Sequence, residues 1–121
     1  MFYGAIEAGG TKFVCAIGND KMEIIDKIII PTTTPAETLK NVFDFFDRYS
    51  LNAMGIGSFG PIDINENSKT YGFITTTPKP EWTNFDFVGT IKERYNVPIA
   101  WTTDVNAAAY GEMMKGNAQG C

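Results

Sequence analysis

Apolar residues fall in short runs separated by glycine, asparagine and proline, and the period of the runs changes along the chain. Residues 2–8, 13–17 and 23–30 form three runs of strand length, divided by Gly9-Gly10 and by Gly18-Asn19-Asp20. Three strands joined by tight turns are predicted. The period then becomes helical. Thr34-Pro35-Ala36-Glu37 has the form of a capping box with proline at the first helical position, and Leu39, Val42, Phe43, Phe46 and Tyr49 follow on one face. Residues 53–58 read as a buried strand broken by Phe59-Gly60-Pro61, and residues 62–64 and 71–74 as a hairpin around Asn65-Glu66-Asn67-Ser68. Residues 75–84 are a proline-containing loop with one tryptophan, Trp82. Asp86 is placed to cap a second helix with Phe87, Val88, Ile91 and Tyr95 inward, and Pro98 leads into a strand at 99–102. A third helix is predicted over about 105–115, ended by Gly116-Asn117. This order predicts an α/β domain, a mixed sheet covered by helices, with no linker and no second domain within 1–121.

Composition narrows the function classes. The 121 residues are 44% hydrophobic and 20% charged with a net charge of -4, which is globular. Acidic and basic residues are interspersed without a basic patch, which argues against a nucleic-acid partner. No apolar run approaches the roughly 20 residues that span a bilayer, so no membrane partner is expected. Met1-Phe2-Tyr3-Gly4 lacks the basic-then-apolar pattern of a signal peptide. Cys15 lies in an apolar run and reads as buried, and Cys121 is the last residue; no disulfide framework follows, and a cytoplasmic location is expected. There is no histidine. Any acid–base chemistry therefore falls to a carboxylate, and no histidine-containing metal site exists in the chain.

Three stretches carry candidate chemistry. In Ile6-Glu7-Ala8-Gly9-Gly10-Thr11-Lys12 a carboxylate ends a strand and two glycines and a threonine form the turn. Glycines let backbone amides approach a phosphate, the threonine adds a hydroxyl, and the carboxylate can hold magnesium directly or through water. A plain hairpin turn explains Gly-Gly equally well, and spacing alone favours it. The stretch is neither a P-loop nor a dinucleotide fingerprint. In Gly55-Ile56-Gly57-Ser58-Phe59-Gly60-Pro61-Ile62-Asp63 three glycines at a strand end suit close approach of a ligand, or a bulge. In Trp101-Thr102-Thr103-Asp104-Val105-Asn106 an aspartate sits where a buried strand meets a helix; it is a good N-cap, and ligands of open α/β sheets bind at such strand ends.

Taken in order, the three stretches resemble the N-terminal motifs of the ROK family (repressors, open reading frames, kinases), and most closely its bacterial fructokinase branch. Thr77-Pro78-Lys79-Pro80-Glu81-Trp82 is similar to that family's threonine-proline-tryptophan loop near the sugar. The resemblance implies the N-terminal lobe of an actin-like, ribonuclease-H-like ATPase, with sugar in the cleft between two lobes and ATP mainly on the other lobe. It implies ATP-dependent phosphorylation of a hexose, with ATP and magnesium as cofactors. On it, Asp104 is the catalytic base, and Gly9, Gly10, Thr11 and Lys12 are the first phosphate loop. Glu7 holds magnesium through water, and Gly57, Gly60, Thr77 and Thr103 bind sugar together with Asp104. Glu7 stands where the family usually has aspartate, and Thr103 where glucokinase members often have asparagine; both point to fructose, converted to fructose 6-phosphate, over glucose. The family's second phosphate segment and its histidine-cysteine zinc motif are expected only beyond residue 121, so the chain reads as the N-terminal lobe, inactive alone. A homodimer is the family's common assembly. The competing readings are a sugar-responsive repressor, for whose helix-turn-helix the six residues before Glu7 leave no room, and a non-catalytic sugar-binding lobe.

Overall fold

The computed structural model describes residues 1–21, 23–59, 61–75 and 80–102. Strands β1 (Phe2–Ala8), β2 (Lys12–Asn19) and β3 (Ile24–Pro31) form an antiparallel meander, as their runs predict. Helix α1 (Pro35–Phe46) then crosses over to β4 (Leu51–Ser58), which lies parallel to β1. After an irregular stretch come the two-residue strands β5 (Phe73–Ile74) and β6 (Phe85–Asp86), helix α2 (Phe87–Arg94) and strand β7 (Ile99–Thr102). The main sheet has five strands in the order β3-β2-β1-β4-β7, with β1, β4 and β7 parallel. It is the expected mixed sheet.

Alternation along the strands decides which face is covered. Ile6, Cys15, Ile28, Ile56 and Trp101 stand in one row across the sheet. With Phe13, Ile17, Ile30 and Met54 they pack on Leu39, Val42, Phe45 and Phe46 of α1 and Phe87, Val88 and Ile91 of α2. Full burial of one such side chain contributes about 1.5–3 kcal/mol. Cys15 is buried as expected, and burial pushes its thiol up to about 12. The other face of the sheet carries Glu7, Val14, Lys27 and Ile29, with Tyr3 and Ala53 as a small second cluster.

The caps are where the sequence puts them. Thr34 accepts a hydrogen bond from the Glu37 amide, and Asp86 accepts one from the Gly89 amide. Inside α1 the buried positions are Thr38, Leu39, Val42, Phe45 and Phe46, whereas Phe43 is only half-buried. Phe43 lies instead under the Arg94 guanidinium, 4.6 Å from the ring centre. Arg94 is also paired with Asp47 just past α1, and Tyr95 donates to the same carboxylate at 2.5 Å, so that both hold Asp47 below the usual carboxylate range.

The predicted hairpin of 62–64 with 71–74 forms in part: Ile62 bridges Ile74, the Asp63 amide donates to the Phe73 carbonyl and the Gly72 amide to the Asp63 carbonyl, both at 3.0 Å, but the regular ladder of β5 is with β6. The reason lies in the loop itself. Asp63 gathers the Asn65 amide and the hydroxyls of Ser68 and Thr70, drawing the chain into a wide turn. Gly72, at φ 88°, then redirects it; a Cβ there would lie 2.6 Å from Val88. The third helix predicted over 105–115 lies outside the described residues. Among the described residues no helix is long and apolar enough to cross a membrane.

Candidate active site at the ends of the parallel strands

The parallel strands bring the three motif stretches to one edge. Glu7 of β1 pairs in register with Gly57 of β4, and Gly57 with Thr102 of β7. Each strand ends at or one residue past this row, so the turn at Gly9, the exit at Phe59 and the step towards Thr103 all leave from the same end of the sheet. Beyond the ladder the Phe59 amide donates to the Ala8 carbonyl at 2.8 Å, which ties the start of the second motif to the residue before the first.

The Gly9–Lys12 turn joins the antiparallel strands β1 and β2, so it is a hairpin turn, and it lines a cleft. The cleft is about 640 Å³, lined by Glu7 and Ala8, the turn, Ser58 and Phe59, and on the open face Val14, Lys27 and Ile29. Glu7, Thr11 and Lys12 are exposed in it. Gly9 is glycine for a local reason: its amide donates to the Lys12 carbonyl at 2.9 Å, and a Cβ would sit 2.8 Å from that oxygen. Ser58 is buried, its hydroxyl donating to the Phe59 carbonyl. Glu7, Gly9, Gly10, Thr11, Lys12 and Gly57 are thus brought together. Gly60, Thr77, Thr103 and Asp104 lie outside the described residues.

Two residues of the neighbourhood escape sequence reading. Trp82, in the loop likened to a sugar-side loop, has no exposed surface. Its ring packs against those of Phe13, Phe59, Phe85 and Phe87, and its Nε1 donates to the Thr33 carbonyl at 2.9 Å. It is a core anchor beneath the site rather than a surface facing a ligand. Thr32, just past β3, donates through Oγ1 to the Gly9 carbonyl at 2.8 Å and through its amide to the Thr11 carbonyl at 3.0 Å. No spacing or patterning rule marks it. Among the described residues no three His, Cys, Asp or Glu side chains gather as a metal site.

Comparison with known proteins places this arrangement. The chain is 58% identical over 119 residues to a fructokinase of Pediococcus pentosaceus, covering 98% of this chain and 41% of that protein. It spans about two fifths of the length of such curated relatives. Two solved structures share its fold: a ROK family protein from Streptococcus pneumoniae in complex with sucrose (TM-score 0.70, 18% identity, 88% of this chain and 36% of that one) and a ROK family glucokinase from Streptomyces griseus in complex with glucose and AMPPNP (TM-score 0.69, 20% identity, 92% and 36%). The mixed five-stranded sheet with its helices has the actin-like ATPase fold that the motifs imply. The family model for ROK proteins matches residues 3–121, and the chain belongs to the ROK family.

Proposed function

We propose that the chain is the sugar-binding, first-phosphate-loop lobe of a two-lobe kinase that transfers the terminal phosphate of ATP to the six-position hydroxyl of fructose. The observation that carries the reading is the row Glu7–Gly57–Thr102, which sets the three motif exits side by side at the carboxyl ends of parallel strands. Ligands of open α/β sheets bind there. The identity to a protein named fructokinase supports fructose as the sugar.

In this reading the Gly9–Lys12 turn receives phosphate oxygens through its amides and the Thr11 hydroxyl. Exposed Glu7 holds magnesium through water; the ion, when bound, neutralises charge on the phosphates. The backbone at Gly57 and Gly60, with Thr77 and Thr103, binds the sugar. Asp104 accepts the proton of the sugar hydroxyl as its oxygen bonds to phosphorus and the bond to the departing ADP breaks. Most of the catalysis is positioning, which is worth about 7–11 kcal/mol of barrier when both substrates are held in line. The second lobe supplies the rest of the ATP site and the family's zinc motif, and a homodimer in the cytoplasm is the expected form of the enzyme.

A coupled ADP-release assay of the two-lobe enzyme with ATP and fructose, mannose or glucose tests this. The expected result is the highest kcat/KM with fructose. A clear preference for glucose contradicts the fructose assignment alone, and sugar binding without ADP release from any of the three contradicts the kinase.

A further inference from the structure

A loop that holds phosphate must offer N–H groups and keep its carbonyl oxygens out of the way, because a carbonyl dipole facing an anion repels it. A hairpin turn does not guarantee this by itself. Here Gly9 and Thr11, the residues flanking Gly10, both have their carbonyls engaged by one residue: Thr32 Oγ1 donates to Gly9 at 2.8 Å and the Thr32 amide donates to Thr11 at 3.0 Å. The Lys12 carbonyl is taken by the Gly9 amide. The amides of Gly10 and Thr11 have no backbone partner among the described residues. The carbonyls at 9, 11 and 12 are thus occupied, and at the tip the amides of Gly10 and Thr11 remain for a ligand, with the Gly10 carbonyl the one acceptor of the turn that has no partner among the described residues.

Thr32 is itself held on the side away from the loop. Its neighbour Thr33 donates through its amide to the buried Thr38 hydroxyl at 2.9 Å and accepts from Trp82 Nε1 at 2.9 Å, and Thr34 caps α1. Three consecutive threonines therefore do three different jobs, and the one facing the turn is fastened to α1 and the aromatic core.

We propose that Thr32 is a positioning residue that fixes the polarity of the Gly9–Lys12 turn, so that the turn presents N–H groups to a phosphate chain. The proposal rests on reading that turn as a phosphate loop. Its test is a titration of the 121-residue chain with inorganic tripolyphosphate, followed through the amide resonances of Gly10 and Thr11. Thr32→Val keeps the shape and the backbone amide but removes the hydroxyl donor; Thr32→Ser keeps the donor. Losing one hydrogen bond of this kind weakens tripolyphosphate binding by about three- to tenfold. That loss is expected in Thr32→Val, with affinity restored to within about twofold in Thr32→Ser. Thr32→Ala gives the same readout if the second methyl of valine is not accommodated. In the two-lobe enzyme the same loss appears as a raised KM for ATP with the KM for fructose unchanged. Saturable shifts in the wild type with equal affinity in Thr32→Val and Thr32→Ala overturn the role of Thr32. Absence of any shift at Gly10 and Thr11 in the wild type overturns the phosphate-loop reading itself.

Discussion

On the proposed function, Asp104→Asn is expected to leave a two-lobe enzyme that folds and binds sugar but turns over at least about a hundredfold more slowly, the lower end of the range for losing a general base. Asparagine is close to aspartate in shape and is an equally good helix cap, so it preserves the structural service that the sequence assigns to position 104. What it cannot do is accept a proton. In the proposed role the carboxylate takes the proton of the attacking hydroxyl, which a carboxamide does not. Steady-state turnover with saturating ATP and fructose, alongside a calorimetric titration with the sugar, separates the two services. A near-normal kcat means that Asp104 only caps a helix.

Trp82→Ala is expected to cost about 3–5 kcal/mol of folding stability, the range for truncating a buried large aromatic. The indole is fully buried among four aromatic rings, and its N–H satisfies the Thr33 carbonyl. Alanine leaves both a void and an unpartnered carbonyl in a half-covered position. Against a typical total of about 5–15 kcal/mol, that loss threatens the fold of the lobe. Urea unfolding of the 121-residue chain measures it. A loss below about 1 kcal/mol, in the range of ordinary surface substitutions, would place Trp82 at the sugar rather than in the core.

The contrast between these two residues shows where a sequence is informative. Residue 104 is conspicuous in the sequence because a lone carboxylate between a strand run and a predicted helix has few jobs, although it lies outside the described residues. Trp82 is not, because a proline-containing loop hides the fact that its tryptophan points inward; only the convergence of Phe13, Phe59, Phe85 and Phe87, distant in the chain, makes the pocket. Caps and most strand runs are legible locally. Thr34 and Asp86 cap as expected, and the strand runs fall within a residue or two of the observed strands. What depends on partners far along the chain was not. The 71–74 segment meets 61–63 through one bridge and three backbone hydrogen bonds while its regular ladder is with β6; the turn built on Asp63 and the positive φ at Gly72 shape this, and neither is a pattern of hydrophobic residues. In α1 the helical stripe is right, but Phe45 takes the core position, and Phe43 lies against Arg94 and Tyr95 at the end of α2. Within the site, the glycine turn and the Gly57 segment could be named from sequence. Their side-by-side register, and the hold of Thr32 on the turn between them, could not, since both are set by strand order.

On the proposed function, phosphate and sugar meet at the carboxyl ends of β1, β4 and β7. Hydrogen–deuterium exchange of the two-lobe enzyme, with and without fructose and a non-hydrolysable ATP analogue, tests it most directly. Ligand-dependent protection is expected in peptides covering 8–12, 57–60 and 101–104, with nucleotide protecting the first and sugar the other two. Protection confined to the groove between α1 and α2, around Leu39, Phe43 and Phe85, would contradict it.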